Sequence, residues 1–136
     1  MYQTANVLAD LTRLHLLVLL DRESERAPHD ELAARCASAE FVVRLTGLPH
    51  SFGSIVPHAV REFCSADLEW LIHRQIYTQK VDVLQLEYLP MGQYAGSFRQ
   101  IPSILFEHDV YFQSVGRLLA TAQGALTRVQ TAFEYL

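Results

Sequence analysis

Ionisable residues follow two short apolar stretches in the second half of the chain, and their types are the ones best suited to chemistry. The two stretches cover residues 83–86 and 101–106. Glu87 follows the first, and Glu107, His108 and Asp109 follow the second. Short apolar runs of this kind predict strands buried on both faces of a parallel sheet. In an open α/β sheet, ligands bind outside the carboxyl ends of the strands. The spacing therefore predicts a ligand site at this edge.

Each of these residues also has a simpler interpretation. His108 could be a surface residue that opens a helix, although its place between two acids beyond a strand end favours a functional role. Asp109 could be the N-cap of the following helix, because that role needs only a short acceptor. Glu87 could be a solvated carboxylate. Gln93 and Tyr94 could line the same crevice, or Tyr94 could simply pack on the sheet.

The elements that position these residues can be predicted from periodicity. Apolar residues at helical spacing predict a helix over residues 2–11, and apolar runs predict strands over residues 14–20 and 41–45. Ser65 is a suitable N-cap for a helix that leads to the strand near residue 83. The remaining expectations are a short helix near residues 32–36, a loop over residues 46–54, a short helix over residues 55–63, and a short helix between the two stretches.

A final helix is predicted from Asp109 to the end of the chain. Its apolar stripe takes alternate steps of three and four residues and consists of Leu119, Ala122, Leu126, Val129, Phe133 and Leu136. The first predicted helix precedes the first strand, whereas doubly wound domains usually begin with a strand. The pattern thus predicts one α/β domain over residues 1–136: Rossmann-like, three-layered, with a mainly parallel sheet that lacks its usual first strand, as a piece of a larger protein.

Two segments resemble a known family. Residues 82–94 read DVLQLEYLPMGQY and residues 102–112 read PSILFEHDVYF. They resemble the N-terminal half of glycosyltransferases of the two-lobed GT-B architecture, of the retaining family 4 kind, and residues 2–20 look like the helix and strand that follow the family's glycine-rich first turn.

The resemblance implies an acceptor-side lobe whose catalytic histidine is His108, with Asp109 as a cap and Glu107 as a supporting neighbour. The predicted substrate-binding residues are Glu107 and Asp109 together with Glu87, Gln93 and Tyr94, which lie near the same crevice. It implies a nucleotide-sugar donor, held largely by a C-terminal lobe, and a saccharide or lipid-linked acceptor. The family's first strand with its Gly-Gly turn, and its donor lobe, have no counterpart in these 136 residues. The chain alone is therefore expected to be inactive.

Composition excludes several other classes. The formal charge of −4 and the 11 scattered Lys and Arg residues argue against a nucleic-acid surface. No apolar run approaches the ~20 residues that span a bilayer, and membrane association is left open. Cys36 and Cys64 fit no metal or redox spacing, which predicts reduced thiols and a cytoplasmic protein. The histidines share no metal-ligand spacing, so no metal and no cofactor are expected.

The sequence contains neither the dinucleotide-binding motif G-x-G-x-x-G nor the α/β-hydrolase motif G-x-S-x-G. The alternative to a glycosyltransferase lobe is a non-catalytic, flavodoxin-like binding or regulatory domain, since no complete catalytic constellation lies within the chain.

Overall fold

The computed structural model describes residues 2–47, 56–107 and 111–135. Its α-helices are α1 (Tyr2–Leu11), α2 (Asp30–Ala33), α3 (His58–Arg61), α4 (Ala66–Gln79), α5 (Tyr111–Thr121) and α6 (Ala125–Tyr135). Its strands are β1 (His15–Leu20), β2 (Ser38–Val43), β3 (Leu84–Glu87) and β4 (Ser103–Phe106). Short 3-10 turns cover Glu23–Glu25 and Ala27–His29, and a longer 3-10 segment covers Leu89–Ser97. The chain is therefore a mixed α/β protein.

The strands form two separate parallel pairs. β1 pairs with β2 in the register Leu20↔Val43, and β3 pairs with β4 in the register Glu87↔Phe106. In the described part of the chain no ladder joins β1 to β3. The prediction of parallel strands is thus confirmed, but the four strands that the structure describes form two short sheets and not one.

Both pairs share one apolar core, which is built around α4. The buried residues of this core are Val42, Leu68, Ile72, Leu86, Tyr94 and Phe98. Leu17 and Leu19 of β1 and Leu84 of β3 pack against it. Leu68 is 1% exposed, and burial of a leucine side chain contributes roughly 1.5–3 kcal/mol. The core thereby holds together two sheets that, in the residues described by the structure, are not joined by a backbone ladder.

The β1–β2 pair is covered on both faces. Glu40 of β2 faces α4, because its carboxylate accepts hydrogen bonds from Arg74 and Gln75. Side chains alternate along a strand, so Phe41 faces the other way. There the ring of Phe41 contacts His29 at 6.2 Å and the guanidinium of Arg26 at 4.8 Å. The segment before α2 therefore covers the second face.

The β3–β4 pair is covered less well, which corrects the expectation of two buried faces for β4. Ile104, Leu105 and Phe106 are 51%, 42% and 44% exposed. Leu105 lies 3.3 Å from the position that a Cβ on Gly92 would occupy, so the 3-10 segment packs on its side. Ile104 and Phe106 point to the opposite face, which the described helices leave exposed.

Single residues in the sequence determine where α4 begins and where the C-terminal helices are interrupted. Ser65 caps α4 as predicted, since its hydroxyl accepts a hydrogen bond from the Leu68 N–H at 3.2 Å. The single C-terminal helix was a wrong prediction, because the chain breaks between α5 and α6 at Gly124, whose φ is +96°. That conformation belongs to glycine and cannot continue an α-helix. Leu126 and Val129 of the predicted stripe are 61% and 65% exposed.

The other boundaries shift by a few residues. β2 covers Ser38–Val43 and not residues 41–45, and α3 covers only His58–Arg61 of the predicted 55–63. Of the predicted loop, residues 46 and 47 lack regular structure, and residues 48–54 lie outside the described residues. Among the described residues no helix is both long enough and apolar enough to span a bilayer.

Candidate functional site

An ion pair lies at the carboxyl ends of β1 and β2. Asp21 directly follows β1 and Arg44 directly follows β2, and the parallel register brings the two residues together. Arg44 Nε donates a hydrogen bond to Asp21 Oδ1 at 2.5 Å. This bond lowers the pKa of Asp21 and raises the pKa of Arg44. The side chain of Arg44 is only 13% exposed, so the pair is partly shielded from water.

The same arginine attaches α3 to this edge. Arg44 Nη1 donates to the backbone carbonyl of Glu62 at 3.2 Å and lies 3.9 Å from Glu62 Oε2. His58 Nδ1 lies 3.8 Å from Glu62 Oε1. Because its donors serve Asp21 and Glu62, Arg44 is suited to positioning the edge and not to holding a free anion.

Two aromatic rings connect Arg44 to the second pair of strands. The Arg44 guanidinium carbon lies 4.4 Å from the centroid of the Phe63 ring, and the Phe63 and Tyr88 rings are 5.3 Å apart. Tyr88 directly follows β3, and its N–H donates to the Phe106 carbonyl at 3.0 Å. Asp21, Arg44, Phe63 and Tyr88 thus form a bridge between the carboxyl ends of two separate sheets. We call these four residues the edge bridge.

Tyr88 also has an unusual backbone. Its φ is +88° and its ψ is 135°, a region that side chains other than glycine rarely enter. Such strain persists only where the surroundings impose it, and it is frequent at functional sites. The strained residue lies directly beside Glu87.

Two of the predicted site residues lie at this edge. Glu87 ends β3, and its carboxylate accepts a hydrogen bond from Gln85 on the same face of the strand. Glu107 is exposed and follows β4. The parallel register of β3 and β4 puts both residues at the same end of the pair. His108 and Asp109, the predicted catalytic residue and its neighbour, lie outside the described residues.

Gln93 and Tyr94 form hydrogen bonds within the chain. Gln93 Nε2 donates to the carbonyls of Val60 at 3.0 Å and Pro90 at 2.9 Å. The Tyr94 hydroxyl donates to the carbonyl of Phe63 at 2.7 Å and accepts from the Ser65 N–H at 2.8 Å. Tyr94 is 3% exposed, and burial raises its pKa. Gln93 therefore attaches the 3-10 segment to α3, and Tyr94 attaches it to the backbone of Phe63, a member of the edge bridge.

Sequence reasoning did not find Arg44, Phe63 or Glu62. The available signal was the position of Arg44 immediately after a strand, the same signal that singled out Glu87. Among the described residues no group of three or more His, Cys, Asp or Glu side chains could hold a metal ion. Cys36 and Cys64 are not disulfide-bonded.

Comparison with known proteins assigns no family. No protein-family model matches the chain, and no curated protein and no solved structure matches it either. The interpretation of the edge therefore depends on its geometry and chemistry.

Proposed function

We propose that the chain is the acceptor-side, Rossmann-like lobe of a glycosyltransferase with the two-lobed GT-B architecture. In this proposal it acts in a larger protein whose second lobe holds a nucleotide-sugar donor. The enzyme transfers a hexosyl group, with retention of configuration, to a saccharide or lipid-linked acceptor. His108 acts at the donor sugar, and Glu87, Glu107 and Asp109 bind hydroxyl groups.

The observation that carries the proposal is the convergence of ionisable residues at one edge. The edge bridge ties the carboxyl ends of both strand pairs together, and Glu87 and Glu107 lie at the ends of β3 and β4. Carboxylates accept hydrogen bonds from sugar hydroxyls, and a neutral imidazole offers both a donor and an acceptor. This edge is also where open α/β sheets bind their ligands.

The test measures sugar transfer by the full-length polypeptide that carries this sequence, with uridine, guanosine and adenosine diphosphate sugars as donors. Release of the nucleoside diphosphate reports turnover. His108→Ala is expected to lower kcat by about 100-fold or more, the range expected when an acid–base or polar catalyst is removed. Glu107→Gln is expected to raise KM for the acceptor more than it lowers kcat. The matched control is His29→Ala, whose ring contacts Phe41 away from the edge. Turnover by His108→Ala equal to that of the control would contradict the assignment.

A non-catalytic binding or regulatory domain is the second candidate. The observation that favours it is the use of Gln93 and Tyr94 for bonds within the chain, because it leaves fewer of the residues expected to bind a substrate available for that role. This candidate predicts that the 136-residue chain is monomeric and unfolds cooperatively. The glycosyltransferase lobe predicts association of the isolated chain, because unpaired strand edges promote it. Sedimentation velocity combined with calorimetry distinguishes the two.

A further inference from the structure

The outer face of α4 carries an exposed aromatic hollow that the proposed function does not use. Trp70 is 60% exposed and Tyr77 is 72% exposed. With His73, Arg74 and Thr78 they line a hollow of about 280 Å³. Leu68, Ile72 and Gln75 of the same helix are buried, so this face points away from the core. Large exposed aromatic residues beside an arginine are the composition of a binding surface.

Each of the two aromatic rings has a cationic neighbour. The Arg74 guanidinium lies 4.9 Å from the Trp70 ring centroid and also pairs with Glu40. Lys80 Nζ lies 5.2 Å from the Tyr77 ring centroid. The charge of Arg74 is thus compensated by Glu40, and one cationic side chain lies against each ring of the hollow.

The axial spacing of Trp70 and Tyr77 along α4 is close to the repeat of an extended, proline-rich peptide. Trp70 and Tyr77 are two helical turns apart, a rise of about 10.5 Å. A polyproline II helix repeats every three residues, or about 9 Å. Proline-rich segments bind aromatic-lined grooves because their conformation is already formed before binding. Successive turns of such a segment can therefore contact both rings, and the indole N–H of Trp70 is a donor for a peptide carbonyl.

The charged residues at the two ends of α4 indicate which charge a residue at the end of that peptide should carry. Asp67 and Glu69 lie in the first turn of α4. Lys80 follows the last turn, where Arg13 also donates a hydrogen bond to Gln79 at 3.0 Å. Among the described residues neither Arg13 nor Lys80 forms an ion pair. We propose that this hollow binds a proline-rich peptide segment in the polyproline II conformation, with an acidic residue at the end that lies against Lys80.

The test uses the fluorescence of Trp70, which is the single tryptophan of the chain. The probes are the synthetic peptides acetyl-PPLPPLPE-amide and acetyl-EPPLPPLP-amide, which place the acid at either end. In the control peptides glycine replaces every proline, which removes the polyproline conformation at the same charge. The expected result is a saturable blue shift with one proline peptide at a dissociation constant below about 1 mM, and a weaker response to the glycine peptides.

Variants then locate the site. Tyr77→Ala is expected to weaken binding about fivefold or more, as the loss of a central aromatic contact does. Lys80→Asn keeps a residue that accepts the left-handed conformation and should reduce the salt dependence of binding. Leu11→Ala, at a 75% exposed position of α1, should leave binding unchanged. Thermal melts verify that each variant is folded.

Three outcomes would overturn the proposal. They are the absence of a saturable shift at millimolar peptide, an equal response to the glycine peptides, and a shift produced by the neutral saccharide cellohexaose at lower concentration than by the peptides. The last would make the hollow a sugar platform.

Discussion

The backbone of Tyr88 allows a test of strain that is independent of its side chain. At φ +88° and ψ 135°, a residue with a Cβ carries a strain of roughly 1–3 kcal/mol. Tyr88→Ala and Tyr88→Gly both lose the ring and its contact with Phe63, so the difference between them reports the backbone alone. Glycine is less favourable by roughly 0.5–1 kcal/mol because it has more conformational freedom in the unfolded chain. The glycine variant should therefore be the more stable of the two by about 1 kcal/mol.

Tyr77 provides the matched control. It is an exposed tyrosine inside α4, where glycine is less stable than alanine by about 1 kcal/mol. The sign of the Gly–Ala difference should thus be opposite at positions 88 and 77. Urea unfolding followed by far-ultraviolet circular dichroism gives the free energies of unfolding. If glycine is less stable than alanine at both positions, the backbone at Tyr88 is not strained, and the arrangement of the edge beside Glu87 is refuted with it.

Three further predictions concern Lys80, Tyr94 and Glu40. Lys80, which ends α4 at φ 56° and ψ 51°, should gain about 1 kcal/mol of stability on Lys80→Gly, because glycine enters the left-handed region without strain; an unchanged urea midpoint would contradict this. Tyr94→Phe should lose roughly 1–3 kcal/mol, because it leaves two backbone groups without their partner, whereas Tyr77→Phe, on the exposed face of α4, should lose almost nothing in the same assay. A hydrogen bond from Arg74 holds the pKa of Glu40 below its ordinary value. The stability that this pair contributes is therefore complete above the ordinary carboxyl pKa of about 4 and disappears as pH falls through the lowered pKa. Glu40→Gln should flatten that acid loss in urea titrations, and an unaltered slope would refute the assignment.

The edge bridge and α4 together connect two short sheets that share one core. Parallel two-stranded ladders are weak by themselves, and stable sheets usually need more strands or a covering layer. Here α4 supplies the covering layer, and Arg44, Phe63 and Tyr88 connect the strand ends of one sheet to those of the other. Among the described residues β1 and β3 each have one edge without a ladder partner, and both strands pack on the same core.

Much of the secondary structure was determined by local sequence. The helical spacing of apolar residues fixed α1, the short side chain of Ser65 fixed the start of α4, and apolar runs placed β1, β3 and β4 to within one or two residues. These features depend on neighbours in the sequence, so no tertiary information was needed. The break at Gly124 is equally local, but the apolar stripe continues past it, so the periodicity of apolar residues does not show it.

Only the tertiary structure decided which residues contact one another around the candidate site and which strand faces are buried. Arg44 contacts Phe63, and Phe63 contacts Tyr88, because the path of the chain through α3, α4 and β3 ends at the same edge of the fold. The spacing of residues in the sequence does not predict these contacts. Sequence could place Glu87 and Glu107 at strand ends, but it could not assign the Tyr94 hydroxyl to the backbone of Phe63 and Ser65. Nor could it show that β4 is exposed. An apolar run reports that burial is favourable, whereas the packing of distant elements decides whether a covering layer is present.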